Sequence, residues 1–464
     1  MKTYPMLING AHAEAPGTFD VINPSTAEVI ARVPEIDEAG IEASLTAAQK
    51  GFKEWSAKTP AQRKAIVLKY ADILDANADR IVALLREETG KPQDNAEYDF
   101  GMLTTCLRFF LEEVERLEQP VLHDPDGRFL HYVSRQPLGV VVGMLAWNFP
   151  LLNVGYKIGP ALAAGCSVII KPSSMTPLAS LEVAYLAKEA GIPDGVINMI
   201  TSTDHDVTEG LLQSDIPELV TMIGSTRGGL EVMKSSCTTV KHFSVELGGN
   251  APVLVYPDAD IKDAAEKVVG LKFANCGQVC VSPNRCFVHE SVYDEFVAHA
   301  KAAAADAVIG PLMTDKARQY ALGLVENAKS AGAEVVSGGN AVEGKGYFME
   351  PTVLKDVTTD MDLARNEIFG PVLPILKFTD ADDEIALAND TEFGLASYVF
   401  TKDLSTAMKA ANGIQSGSVC VNEPHYSVQL PHGGLKQSGV GKDCSKYSLE
   451  EYMTLKRVSI LIGE

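Results

Sequence analysis

The chain has 464 residues, 46% of them hydrophobic and 22% charged, the mixture of a globular protein and not of a fibrous or disordered one. So long a chain exceeds one ordinary core, and two or three domains are expected. A formal net charge of −21 argues against nucleic acid or an anionic membrane as a partner.

The N-terminus, Met1-Lys2-Thr3-Tyr4-Pro5, lacks the apolar core of a signal peptide. Short strands and turns follow, with Leu7-Ile8-Asn9-Gly10 and Ile22-Asn23-Pro24-Ser25-Thr26 reading as hairpin turns. Thr59-Pro60-Ala61-Gln62 joins a capping box to a proline at the first helical position. Behind it Ile66, Tyr70, Ile73 and Leu74 repeat at helical spacing, and Gly90-Lys91-Pro92 is a stop signal. Residues 128–135 alternate partially and predict an exposed strand that invites pairing.

From Gly139 the pattern becomes strand–helix alternation. Val140-Val141-Val142, Val168-Ile169-Ile170, Val196 to Met199, Leu219 to Met222 and Phe243-Ser244-Val245 are short β-rich runs, and Leu178 to Ala190 has helical composition. The alternation predicts a parallel sheet with helices on both faces, the architecture of dinucleotide binders. The longest apolar stretch, Ile158 to Ile170, is interrupted by Gly159, Pro160 and Gly165 and falls short of the ~20 residues of a membrane helix. The fingerprint G-x-G-x-x-G is absent. In its place Gly224-Ser225-Thr226-Arg227-Gly228-Gly229 follows a strand-like run and opens a helix expected over Leu230 to Ser235, where free N–H groups suit a pyrophosphate. A second alternating region runs from Pro252 to about Ala396.

Within that region, Cys280 stands behind a Gly-Gln turn after an apolar run from Ala264 to Phe273. A thiolate on such a turn is a nucleophile with access to substrate; a small buried apolar cysteine is the alternative. Cys276, Cys280 and Cys286 match no zinc spacing, and no metal is expected. Eight irregularly spaced cysteines make no disulfide framework and fit a reducing cytoplasm. The tail, Tyr452 to Ile462, reads as a strand that pairs with 128–135 or with its counterpart in another subunit.

Nine short stretches, in order, carry a resemblance. They are Trp147-Asn148-Phe149-Pro150, Gly159 to Gly165, Lys171-Pro172-Ser173, Gly191 to Gly195, Gly224-Ser225-Thr226, Glu246-Leu247-Gly248-Gly249, Gly277 to Cys280, Glu367 to Pro371 and Gly433 to Gly439. Together they resemble the aldehyde dehydrogenase superfamily over nearly the whole chain. The resemblance implies an α/β fold with a Rossmann-type cofactor domain (1–122 and 139–246) and an α/β catalytic domain (247–430). It also implies a small β arm for oligomerisation with the C-terminal tail (123–138 and 431–464), and hence a homodimer or homotetramer.

By the same resemblance, Cys280 attacks an aldehyde, Asn148 and the Cys280 N–H hold the resulting oxyanion, and hydride passes to NAD or NADP. Glu246 then activates water to hydrolyse the thioester; members that acylate coenzyme A tend to lack this glutamate, so a free acid is the expected product. Trp147, Lys171, Gly224, Ser225, Glu367 and Phe369 are expected around the cofactor: Lys171 at the adenine-side ribose, Ser225 at the pyrophosphate, Glu367 at the nicotinamide ribose and Phe369 against the nicotinamide. Ser174 stands where NAD-preferring relatives carry Glu, so NADP is expected to be tolerated or preferred.

Tyr156, His425 and His432 are placed on the substrate side. His432 replaces a usual Phe, and the two imidazoles imply a polar or anionic substrate, or simply histidines bonded within a loop. Lys436 to Gly439 and Ser445-Lys446-Tyr447 look like succinate-semialdehyde dehydrogenases, yet the positions where that subfamily carries arginine are Tyr156 and Ala274 here. The expected substrate is a small polar aldehyde of the semialdehyde or hydroxyaldehyde class. A betaine-type aldehyde, or a catalytically silent binding or structural role, is the alternative.

Overall fold

The computed structural model describes residues 2–463. Its first sheet has eight strands in the order Gly439–Val440, His242–Glu246, Pro217–Ile223, Val140–Met144, Ser167–Lys171, Ile197–Met199, Met6–Ile8 and Ala11–Ala13. The five from His242–Glu246 to Ile197–Met199 are mutually parallel. All five residues of Val140–Met144 are buried, as a parallel strand covered by helices on both faces requires. The chain winds from this strand through Ser167–Lys171 to Ile197–Met199, then returns to the opposite flank. The order therefore reverses between Val140–Met144 and Pro217–Ile223, and ligands bind α/β sheets at the carboxyl end of such a reversal.

The local signals explain most of the elements. Asn9 (φ 52) and Gly10 (φ 70) are both left-handed, as a two-residue hairpin turn demands, and they join Met6–Ile8 to Ala11–Ala13. Thr59 and Gln62 close the capping box reciprocally. Two helices follow it, Pro60–Ala76 and Ala78–Thr89, because Asn77 leaves helical geometry and its side chain bonds the Ile73 carbonyl at 2.8 Å. The helix Leu178–Ala190 has its expected bounds. The glycine-rich helix begins earlier than its composition suggests, at Thr226. Ser225 caps it by accepting from the Gly228 N–H at 3.1 Å, which draws both glycines into the first turn.

The second sheet runs Glu334–Ser337, Thr352–Lys355, Val372–Phe378, Pro283–His289, Ala251–Val255, Ala396–Phe400 and Ser418–Val421. A third, exposed sheet pairs Phe129–Pro137 with Met453–Leu461 over nine register positions and with Val121–Leu122. Segment 431–464 is thus not arm alone. Gly439–Val440 completes the first sheet against His242–Glu246, and Leu435–Lys436 pairs with Phe393–Gly394. Among the described residues no helix is long and apolar enough to cross a membrane.

Candidate active site

A cleft of about 1050 Å³ opens between the two large sheets. One wall is the chain reversal itself, Leu145 to Phe149 and Met222 to Ser225, and the other carries Val279 to Val281. Of the residues singled out above, only Lys171 and Ser174 are not among its walls. Lys171 ends its strand opposite Met144 and Ser174 lies in the turn beyond, forming a shelf at the carboxyl end of that strand, where Lys171 O accepts from the N–H of the wall residue Leu145 at 3.0 Å. Burial depresses the Lys171 pKa, and the Glu35 carboxylate partly offsets this. Glu35 is itself held by Ser202, Thr203 and the Asp204 N–H.

Cys280 is delivered by an unusual turn. After the helix Ile261–Phe273, Asn275 (φ 47), Cys276 (φ 58) and Gly277 (φ 72) are successively left-handed. A Cβ on Gly277 would lie 2.1 Å from the Gly370 carbonyl oxygen, so only glycine fits. Gln278 ties the turn down: its Nε2 donates to Asn275 O at 3.1 Å and Pro311 O at 3.3 Å, and its Oε1 accepts from Met313 N at 2.8 Å. Gly249 permits the opposite wall to approach, since a Cβ there would meet the Cys280 carbonyl oxygen at 2.2 Å. The Cys280 backbone N–H makes no hydrogen bond to a described residue.

The nucleophile candidate is a thiol and not the free thiolate that an exposed turn implies. Cys280 is half-buried, and burial, then the charge and hydrogen bond of Glu246, push its pKa well above the ordinary value. Glu246 ends its strand, with its backbone in register with Ile223 on one side and Gly439 on the other. Its Oε1 lies 3.2 Å from His432 Nε2. Donor atoms of Glu246, Cys280 and His432 all fall within 4.8 Å of one another. Asn148 is buried beside them. Its Nδ2 donates to Gln278 O at 3.1 Å, and its Oδ1 has no partner.

His432 is thus bonded within the protein through Nε2, to Glu246, while its ring also faces the cleft. Burial works against the charged imidazole, yet the Glu246 hydrogen bond and the charges of Glu246 and Asp443 outweigh it, and the pKa is raised. The His432 backbone is bridged to Asp443 in both directions, at 2.8 and 2.6 Å. Asp443 in turn holds Lys157 at 2.5 Å, both side chains being sealed from solvent. This pair escaped the sequence reading. The available signal was a lone lysine inside the apolar helix Pro150–Ala164, since a buried charge requires a partner. His425 lies exposed at the rim.

The groups expected around a dinucleotide converge at the chain reversal. Ser225 caps the helix Thr226–Ser235 and its hydroxyl hydrogen remains to donate. The Met222 methyl packs over Gly224, 2.5 Å from where a Cβ would stand. Phe369, left-handed at φ 48, meets the Trp147 ring edge-on at 5.4 Å. Glu367 accepts from the Gly249 N–H at 2.9 Å, and burial pushes its pKa up to about 7. A helix start on the cleft wall fits a pyrophosphate, and the aromatic pair Trp147–Phe369 fits a flat ring.

The sequence model described as the Aldehyde dehydrogenase family matches residues 11–458. A glutarate-semialdehyde dehydrogenase of Pseudomonas putida is 37% identical, over 98% of this chain and 97% of that protein. An NADP(+) succinate-semialdehyde dehydrogenase of Escherichia coli is 36% identical, over 98% of this chain and 97% of that one. The solved structure of a 3,6-anhydro-L-galactose dehydrogenase in complex with NAP superposes with a TM-score of 0.96 at 35% identity, covering 99% of this chain and 100% of that one.

Proposed function

The chain belongs to the aldehyde dehydrogenase family, and from that premise we propose that Cys280, Glu246 and Asn148 carry its reaction. It is an NAD(P)-dependent aldehyde dehydrogenase that oxidises a small polar aldehyde to the carboxylic acid. The convergence of thiol, carboxylate and amide on one cleft at the chain reversal is the observation that carries the assignment.

Cys280 Sγ attacks the carbonyl carbon while Glu246, the nearest base, takes the thiol proton. Proton removal at the moment of attack is needed because the thiol pKa is raised. The oxygen of the thiohemiacetal accepts from the Asn148 side chain and the Cys280 N–H. NAD(P), when bound, would supply the hydride acceptor for the thiohemiacetal carbon, and Cys280 would then carry the acyl group as a thioester. Glu246 then draws a proton from the water that cleaves the thioester, returning the thiol and releasing the acid. Trp147, Phe369, Gly224, Ser225 and Glu367 line the dinucleotide side, with Lys171 and Ser174 on the shelf for its adenosine end.

Stopped-flow absorbance at the reduced nicotinamide band tests the roles. Glu246→Gln gives a slowed hydride burst of full amplitude, then stalls, with kcat down by about 10²–10⁴-fold. Cys280→Ala gives no burst. Normal steady turnover by Glu246→Gln overturns the base assignment. We further assign the exposed three-stranded arm to contact with a second copy of this chain, since both of its faces present apolar side chains, Val121 (69% exposed) on one and Leu455 (64%) on the other. A cytoplasmic setting is supported by all eight cysteines being free.

A further inference from the structure

We propose that the aldehyde selected by this cleft is an uncharged hydroxyaldehyde and not one bearing a distal carboxylate. The inference rests on aldehyde oxidation at Cys280 and concerns the other end of the same molecule. Among the described residues the cleft walls hold four carboxylates, Asp94, Glu246, Glu367 and Asp443, and no lysine or arginine.

The cations lying behind those walls are already committed. Lys157 is sealed against Asp443 at 2.5 Å, and Lys91, 1% exposed, is bound to Asp99 at 2.7 Å. Lys272, wholly buried, is bonded to Asn284 at 3.2 Å. Turning any of them toward substrate would strand a buried partner, which is strongly unfavourable. His432 gives its Nε2 to Glu246, and His425 is exposed at the rim where water screens it. A carboxylate entering here would be desolvated without a counter-charge.

A cationic substrate is not favoured either, because the wall acids are engaged. Glu246 pairs with His432, Asp443 with Lys157, and Glu367 receives the Gly249 N–H. Asp94 alone is open, on the exposed rim. The wall offers hydroxyls and ring faces instead. Tyr156 and Tyr426 flank His432, with ring centroids 6.4 and 6.1 Å from it. The Tyr426 hydroxyl shares a 2.5 Å hydrogen bond with that of Tyr398, which also donates to Val281 O at 2.7 Å. Fixed phenols between apolar faces suit a chain of C–H and O–H groups.

The test compares three aldehydes of matched length on the full chain with NADP and with NAD. They are succinate semialdehyde, 4-hydroxybutanal and 4-trimethylammoniobutanal, read as kcat/KM from nicotinamide absorbance. The neutral compound is expected to exceed the anionic one by about tenfold or more. Equal or higher efficiency with succinate semialdehyde overturns the inference while leaving aldehyde oxidation standing. Highest efficiency with the ammonium compound overturns it as well, by showing that the wall acids dominate. No hydride from any aldehyde, with Cys280 unmodified by mass spectrometry, counts against aldehyde oxidation itself and removes the inference with it.

Discussion

His432 and Glu246 share one contact, 3.2 Å, and Glu246 is the carboxylate proposed to take and release protons. Their pairing makes a stability signature that a merely packed ring would not. The folded pKa of His432 lies above its unfolded value, so the contribution is complete below about pH 6.5 and is lost as pH rises through the raised folded value. The stability gap between the wild type and His432→Phe, from urea unfolding, is expected to be wide in mild acid and to narrow in alkali. A gap that does not change with pH would mean that His432 titrates alike in the folded and unfolded chain, and a gap that narrows in acid that the imidazole is held uncharged in the fold. Glu367 has the same sign of slope: its pKa of about 7 lies above the ordinary carboxylate value, so the fold loses stability as pH rises from about 4.5 to 7, and Glu367→Gln should remove that loss. Cys280, Glu246 and Asn148 were legible because each sits inside a short motif whose neighbours are themselves constrained. The partner of His432 was not, since Glu246 lies 186 positions away, and the Lys157–Asp443 pair spans 286. No local pattern records contacts over such distances.

The strand Gly439–Val440 is two residues long, yet it fixes the backbone of Glu246, the proposed base. Gly439 is left-handed at φ 127, and a Cβ there would stand 2.0 Å from the Val245 carbonyl oxygen. Ser438 adds a hydrogen bond from its hydroxyl to Gly248 O at 2.6 Å, and its carbonyl accepts from Leu247 N at 3.0 Å. Gly439→Ala is expected to cost at least about 2 kcal/mol, from the backbone term and the overlap, and to lower kcat more than it raises KM. Denaturant midpoints and steady-state kinetics check both parts. Gly277→Ala should act likewise on the other wall, moving the thiol and not the carboxylate. Elements this short are invisible to periodicity. The glycine-rich helix start was misplaced for a related reason: Gly228 and Gly229 suggested loop, whereas the Ser225 cap holds them in the first turn. The long helix Leu178–Ala190 and the β-branched strands, whose patterns run over whole elements, were read with their bounds nearly right.

At the scale of the molecule, the arm is the least covered part of the protein. Leu130 and Ile460 are exposed on the face of Val121, and Leu461 on the face of Leu455, and exposed apolar patches of this kind mark interaction surfaces. Replacing Leu455 and Leu461 with lysine is expected to shift the sedimenting species toward monomer without abolishing cofactor binding. An unchanged mass at micromolar concentration would remove the arm as the contact. The arm and the base-pinning strand also share a position in time. The ribosome releases Gly439 almost two hundred residues after Glu246, and domains fold as they emerge. The growing polypeptide thus carries its reactive sulfur long before the carboxylate is locked opposite it. A product terminated before Gly439 would lack the strand that sets the Glu246 backbone against the thiol.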